Sequence, residues 1–513
     1  MSSVAASTPP DAPRSPGPGG SDAHRTLRNA GLVMASRVLH VAAATLFAIL
    51  VPRVMGPPVF GRYALLTSVS QWFAQLSGTG IVSLITRMIP EFMASGDRAA
   101  TEKLFTNLFV VRIGTAMAAA AMYSLIVLVW LDEPDVVAAA LIAAALPARI
   151  LGNLCFGLFL GLNQTVRWTA GELLQRWLML ALVLGGAVVG GLRGACAGFF
   201  LASLVVFLVG VASARHSLRW SCLDLSAKYL RPYLRLGTAF AAAQVLHTLS
   251  LRSGAVIVRL ATGSYAQVGY VGAALAIYQT GGQAMWQLAL SFTPFFVGRF
   301  HAGERHAVAG WLERMLALLV AGAVLVNFAV LFVGADVLPT LLGAAFAPVV
   351  ASLAPMAVAL VPFSFAAVGR IVALIVDRPR TAAVAAAIEL VVAWTAGSAL
   401  ASWLGAPGAA AGMLVAVCAW AFAMSWPLRQ ELRYSIAPAM KAVALGAAFI
   451  PGALLRGSLP VNALLLAVSS GAYIALAVRL RIVSPRDVET LRQLMRRRSA
   501  ATDRAVALRD DDD

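Results

Sequence analysis

Runs of about 20 or more apolar residues recur about fourteen times between residues 29 and 479. At 1.5 Å per residue each run is long enough to cross the hydrocarbon of a bilayer as a helix. Inside lipid every backbone amide must be satisfied within the structure, so a spanning segment is a helix or part of a closed barrel. Apolar runs this long, without alternation, are helices. Hydrophobic residues make up 60% of the chain and charged residues only 12%, whereas soluble domains carry roughly 25% charged residues. This balance excludes a soluble enzyme, a nucleic-acid-binding domain and a disordered scaffold. The expected fold is an all-α polytopic membrane protein of about 14 transmembrane helices, with about 12 as the alternative count.

The formal net charge is +17, and its placement tests the span count. Arg87, Arg98 and Lys103, then Arg215, Arg219, Lys228, Arg231 and Arg235, then Arg429, Arg433 and Lys441 fall in alternate joints. The intervening joints hold only Arg53, Arg62, Arg193, Arg259 and Arg456, and one of them, LDEPD, is acidic. Basic residues mark the cytoplasmic side, which puts both termini in the cytoplasm. Residues 1–28, rich in Pro, Ser and Gly, read as a disordered tail and not as a signal peptide. Residues 29–213 form a first lobe, 214–234 a basic cytoplasmic linker, 235–427 a second lobe, 428–480 a further helix pair, and 481–513 a second cytoplasmic tail.

Catalytic signatures are missing. No phosphate loop, HExxH or CxxC spacing occurs, and Cys155, Cys196, Cys222 and Cys418 are scattered. His301 and His306 are five apart, which is not the spacing of a helical metal pair. The expectation is no enzyme, no cofactor and no metal site, with a proton or sodium gradient as the energy source for any transport.

The first two spans and the seventh and eighth share a pattern: VLH in the first helix, a V-x-R or V-R turn, a Gly–Tyr step and a Pro closing the second helix. His40 matches His247, Gly61 matches Gly269, Tyr63 matches Tyr270 and Pro90 matches Pro294. An even number of helices between the copies makes the repeat parallel, with its pseudo-two-fold along the membrane normal. Substrate sites in repeat-built transporters lie at the repeat interface.

The stretch LVPRVMGPPVFGRYALL, followed by a second helix ending in TRMIPEF, resembles the start of bacterial polysaccharide flippases of the multidrug/oligosaccharidyl-lipid/polysaccharide (MOP) exporter superfamily. Gly56, Pro57, Phe60, Gly61 and Tyr63 form the most specific part, and the resemblance runs over about residues 29–480. It implies V-shaped alternating access in a bacterial inner membrane. It also implies a cationic central cavity that carries a polyprenyl-diphosphate-linked glycan between leaflets, for surface polysaccharide assembly with other assembly proteins. The rivals are a drug or cation antiporter of the same superfamily, a membrane glycan polymerase or ligase, and a non-transporting assembly scaffold.

Charge at membrane depth is expensive, so each intramembrane ionisable residue is a functional candidate. Arg149 lies midway along the fourth span with Asn153 one turn on, and reads as cavity lining or as half of a structural ion pair. Arg37 and Arg252 open the two lobes and reach the cavity or snorkel. Arg112 sits two turns into the third span and reads as a snorkelling residue. Glu172 and Arg176 have the i, i+4 spacing of a structural pair. Glu389 and Arg370 flank a short cytoplasmic turn at similar depth, as packing glue or a coupling-ion site. His40 and His247 are coupling candidates because histidine titrates where a proton gradient acts. Gln71 and Gln75, and the stripe Gln279, Gln283 and Gln287, offer amides to sugar hydroxyls or to neighbouring helices.

Overall fold

The computed structural model describes residues 20–482 apart from 79, 80 and 132, and these residues are helical with no strand. Of the two expected tails, residues 1–19 and 483–513 lie outside the described residues. In chain order the helices are α1 (Gly20–Leu76), α2 (Ile81–Ala94), α3 (Arg98–Leu125), α4 (Val136–Gly161), α5 (Thr165–Ala214), α6 (Ala227–Thr262) and α7 (Tyr265–Ser291). There follow α8 (Thr293–His301), α9 (Arg305–Leu342), α10 (Val349–Ile375), α11 (Pro379–Leu404), α12 (Ala406–Leu432), α13 (Ala437–Ala447) and α14 (Leu459–Arg479). Helix α1 begins at Gly20, inside the stretch expected to be disordered. Beyond Pro18 there is no helix breaker until Pro52, so the helix extends back into the tail. Helix α6 likewise takes up the last residues of the expected linker, from Ala227 onward.

Among the described residues, eleven helical stretches are long and apolar enough to cross a membrane. Two of them are hairpins. Gly56 has φ 71°, a left-handed conformation that Gly adopts freely, and the chain reverses there: the rings of Phe47 and Tyr63 lie 6.5 Å apart, whereas a continuous helix would separate them by roughly 24 Å. Helix α5 turns at Gly190 and Gly191, so that Gly186 lies against the backbone of Gly194 and Gly198 against that of Leu182. With both hairpins resolved, and α7 counted as a 27-residue span, the crossings number fourteen. Val189, Trp403 and Leu454 are 91%, 87% and 88% exposed, an arrangement that lipid, and not water, stabilises. The protein is a multi-pass membrane protein.

The second span stops short of its expected end. Its helix ends at Leu76 and turns at 77–78, where Gly78 weakens helix propensity, and α2 begins at Ile81. The eighth breaks after Ser291, before α8. The glycines matched in the sequence repeat meet in space. A Cβ on Gly61 would strike the carbonyl of Tyr265, and one on Gly269 would strike the backbone of Pro57. The second arm of α1 and helix α7 therefore touch backbone to backbone at one end of the bundle. Helices α13 and α14 dock on α9 through the rings of Phe328, Phe332, Phe449 and Tyr473.

Candidate functional site

A cavity of about 470 Å³ opens between the two halves. Gly78, Leu290, Leu374 and Ala382 line its mouth. They sit at the C-terminal ends of the second arm of α1, of α7 and of α10, and at the start of α11. The mouth is thus at the end of the bundle that carries the 215–226 connection. The opposite end is shut. There the Tyr265 hydroxyl donates to Glu133 Oε2 at 2.9 Å, Arg62 Nε lies 3.9 Å from Glu133 Oε1, and Arg62 and Arg259 stack on the Tyr265 ring at 4.6 and 4.2 Å. Arg53 Nη1 donates to the carbonyls of Thr340 and Leu341 at 3.3 and 3.2 Å. These are terminal carbonyls of α9, which have no partner within their own helix.

Arg149 lies on the cavity wall. Pro147, two residues earlier on α4, has no N–H to close the helical ladder and loosens that turn. The Gln71 side chain, its oxygen turned to the guanidinium, accepts from Arg149 Nη1 and Nη2 at 2.6 and 2.5 Å, and the Phe199 ring lies 5.5 Å from the guanidinium carbon. Arg149 is therefore fixed by neutral groups, and among the described residues no carboxylate pairs with it. Gln75 and Asn153 lie on the same wall.

Arg370, on α10, faces them from the other lobe. Its Nη2 donates to Gln244 Oε1 at 2.6 Å, and its guanidinium lies 4.7 Å from the Trp286 ring. Among the described residues the lining holds Arg112, Arg149 and Arg370 and no Asp or Glu. Deeper in the molecule Arg176 and Arg252 act electrostatically on Arg149. Arg176 also feels the charge of Glu172, and Arg252 lies near the buried Tyr63.

Other expected site residues fall elsewhere. Gln279 and Gln283 do not line the cavity, because the wall that α7 contributes begins nearer the mouth, at Trp286 and Leu290. His40 is half-buried and off the lining, and Arg252 lies beyond it. The side chain of Arg37 lies outside the described residues. Glu389 does not take Arg370 as its direct partner. His247 Nδ1 lies 2.9 Å from Glu389 Oε2, and the imidazole stacks on Trp420 at 4.5 Å. The hairpin does bring Arg370 near Glu389 in charge, but Gln244, three residues before His247 on α6, intercepts the guanidinium. Sequence reasoning passed over Gln244, Trp286 and Glu133, and read Arg176 only as the partner of Glu172. Gln244 carried a signal in its i, i+3 spacing to His247. Glu133 carried none, since its partners come from α1 and α7. No group of three His, Cys, Asp or Glu is placed to hold a metal among the described residues.

The fold is shared with solved transporters, two of them described as members of the MOP superfamily. It superposes on a multidrug resistance transporter of the MATE family in its inward-facing conformation (TM-score 0.65, 14% identity, 77% of this chain and 94% of that one). It superposes equally on the lipid II flippase MurJ in an inward closed conformation (TM-score 0.67, 11% identity, 88% and 99%). An outward-facing MATE transporter also matches (TM-score 0.56, 15% identity, 80% and 98%). No curated protein matches the sequence. Residues 26–298 match the family described as "Polysaccharide biosynthesis protein", and the chain belongs to that family.

Proposed function

We propose that this protein is a flippase that carries a polyprenyl-diphosphate-linked oligosaccharide from the cytoplasmic to the outer leaflet by alternating access, for assembly of a surface polysaccharide, and that it catalyses no covalent step. The observation that carries this reading is Arg149, held by Gln71 in a cavity whose described lining has arginines on both lobes and no carboxylate. Guanidinium binds phosphate oxygens through two parallel hydrogen bonds and stays charged in a low-dielectric site. The amides of Gln75 and Asn153 suit sugar hydroxyls. A cation antiporter would need acidic lining. A polymerase or ligase would need a catalytic surface at the closed end, where the turns at 263–264 and at Gly405 are short. The mouth carries the basic 215–235 region, which favours the cytoplasmic leaflet of a bacterial inner membrane, with both termini on that side. Proton coupling falls to His247 and Glu389.

The test is surface glycan measured per unit of protein in cells carrying variants. Losing one charge-assisted hydrogen bond of roughly 1.5–3 kcal/mol weakens binding about ten- to hundredfold. Arg149→Ala should abolish or sharply reduce export at normal abundance, and Arg149→Lys should restore part of it, since lysine keeps the charge and loses the fork. Full export by Arg149→Ala at normal abundance would overturn the assignment.

A further inference from the structure

Arg112, on α3, is 6% exposed. It does not reach the interface as a snorkelling residue would. Its guanidinium lies in the break between the second arm of α1 and α2, in the space left by the missing side chain of Gly78, where any Cβ would collide with its Nη1, Nη2 and Cζ. The same residue and Gly78 both line the cavity.

Carbonyls at a helix C-terminus would ordinarily absorb such a cation. Here they are occupied. Phe73 O accepts from Ser77 N, Gln75 O from Gly78 N, and Ala74 O from the Ser77 hydroxyl. Arg112 Nη1 is buried and has no hydrogen-bond partner, and no carboxylate pairs with Arg112 among the described residues. A buried donor on a permanent charge leaves an uncompensated penalty, and an anion arriving in the cavity would remove it.

Position gives this donor a role. Gly78 lies two turns beyond Gln71, roughly 10 Å nearer the mouth. We propose that Arg112 is a phosphate ligand on the mouth side of the cavity. It takes the diphosphate of the lipid-linked substrate first and passes it to Arg149, and Gly78 is glycine in order to admit the guanidinium. This assignment rests on the flippase reading and adds a residue and an order of contact to it.

The test uses the full-length protein purified in detergent, with farnesyl diphosphate as the probe and equilibrium binding as the readout. The melting temperature of each variant is recorded alongside. Arg112→Gln should weaken binding about ten- to hundredfold, with Arg112→Lys intermediate. Gly78→Ala should weaken it comparably, although it removes no charge, because its Cβ displaces the guanidinium. If Arg112→Gln and Gly78→Ala both bind within twofold of the unaltered protein while Arg149→Ala is weakened, Arg112 is no ligand and the flippase reading stands. If Arg149→Ala also binds normally, that reading falls with it. Should Gly78→Ala fail to fold, the Arg112→Gln measurement decides alone.

Discussion

His247 and Glu389 make a buried polar pair in the second lobe. Glu389 is 1% exposed and meets His247 at 2.9 Å under the Trp420 ring. Removing one member of such a pair leaves a buried group without its partner, which destabilises by about 3–5 kcal/mol when that group is charged. His247→Ala should therefore lower the melting temperature and membrane abundance, and adding Glu389→Gln should recover most of the loss. If the pair also couples transport to protons, the recovered double variant should export glycan at a rate that no longer responds to collapse of the proton gradient. An unchanged response in a stable double variant would remove this pair from coupling. Arg149 was legible in the sequence because a midspan arginine has few bland explanations. Arg112 misled because its distance from the helix start suggested a reach to the interface. Only the structure reveals that Gly78, in the turn after α1, gives it a closer resting place.

The connection between the lobes is tied to the first of them. Lys103 Nζ binds Asp224 Oδ2 at 3.0 Å, Arg219 Nη1 binds Glu102 Oε2 at 3.2 Å, and the backbone N–H groups of Arg219 and Asp224 donate to Thr106 Oγ1 and Asn107 Oδ1 at 2.9 and 2.7 Å. Four residues of α3, Glu102, Lys103, Thr106 and Asn107, thus hold residues 219–224. The hydrogen bond from Lys103, with help from Ser226, holds the Asp224 carboxyl below its ordinary value. A carboxyl depressed by folding stabilises the folded contact above its unfolded value, and that contribution is lost as pH falls through the depressed one. Amide protection across 218–226, taken relative to the intrinsic exchange rate at each pH, should accordingly stay high at neutral pH and fall only below the usual carboxylate range. Asp224→Asn should show the lowered protection already at neutral pH, and equal protection in the two proteins would show that this contact does not hold the connection. Element existence was readable here because the hydrophobic runs are long. The break after Leu76 was not, since apolar runs flank it closely on both sides and only the glycine at 78 hints at the interruption.

At the scale of the whole molecule the cavity is open at one end and shut at the other, and the closing contacts join the two lobes. Tyr265 reaches from α7 to Glu133 beside α4, while Arg53 reaches from α1 to the end of α9. Phe346 packs between Phe60 and Tyr270, at 6.3 and 6.2 Å between ring centroids. The backbone contact of Gly61 and Gly269 brings these groups into range; the repeat in the sequence matches the two glycines but does not foretell that they touch. The acid–phenol bond escaped it, because pairing across helices leaves no spacing to read. Opening this end must break the bond between Tyr265 and Glu133, and a hydrogen bond to a charged group contributes about 1.5–3 kcal/mol. Tyr265→Phe with Glu133→Gln should then raise the ratio of outward- to inward-open protein about ten- to hundredfold. Spin labels at 189 and 403 would report the closed end, and labels at 95 and 380 the mouth, in a protein freed of its four cysteines. Pulsed electron–electron double resonance should show a longer-distance population growing between 189 and 403 while 95 and 380 draw together. Distance distributions identical to those of the parent would mean that the lobes are held by the glycine contact and the Phe346 packing, and not by the acid–phenol bond.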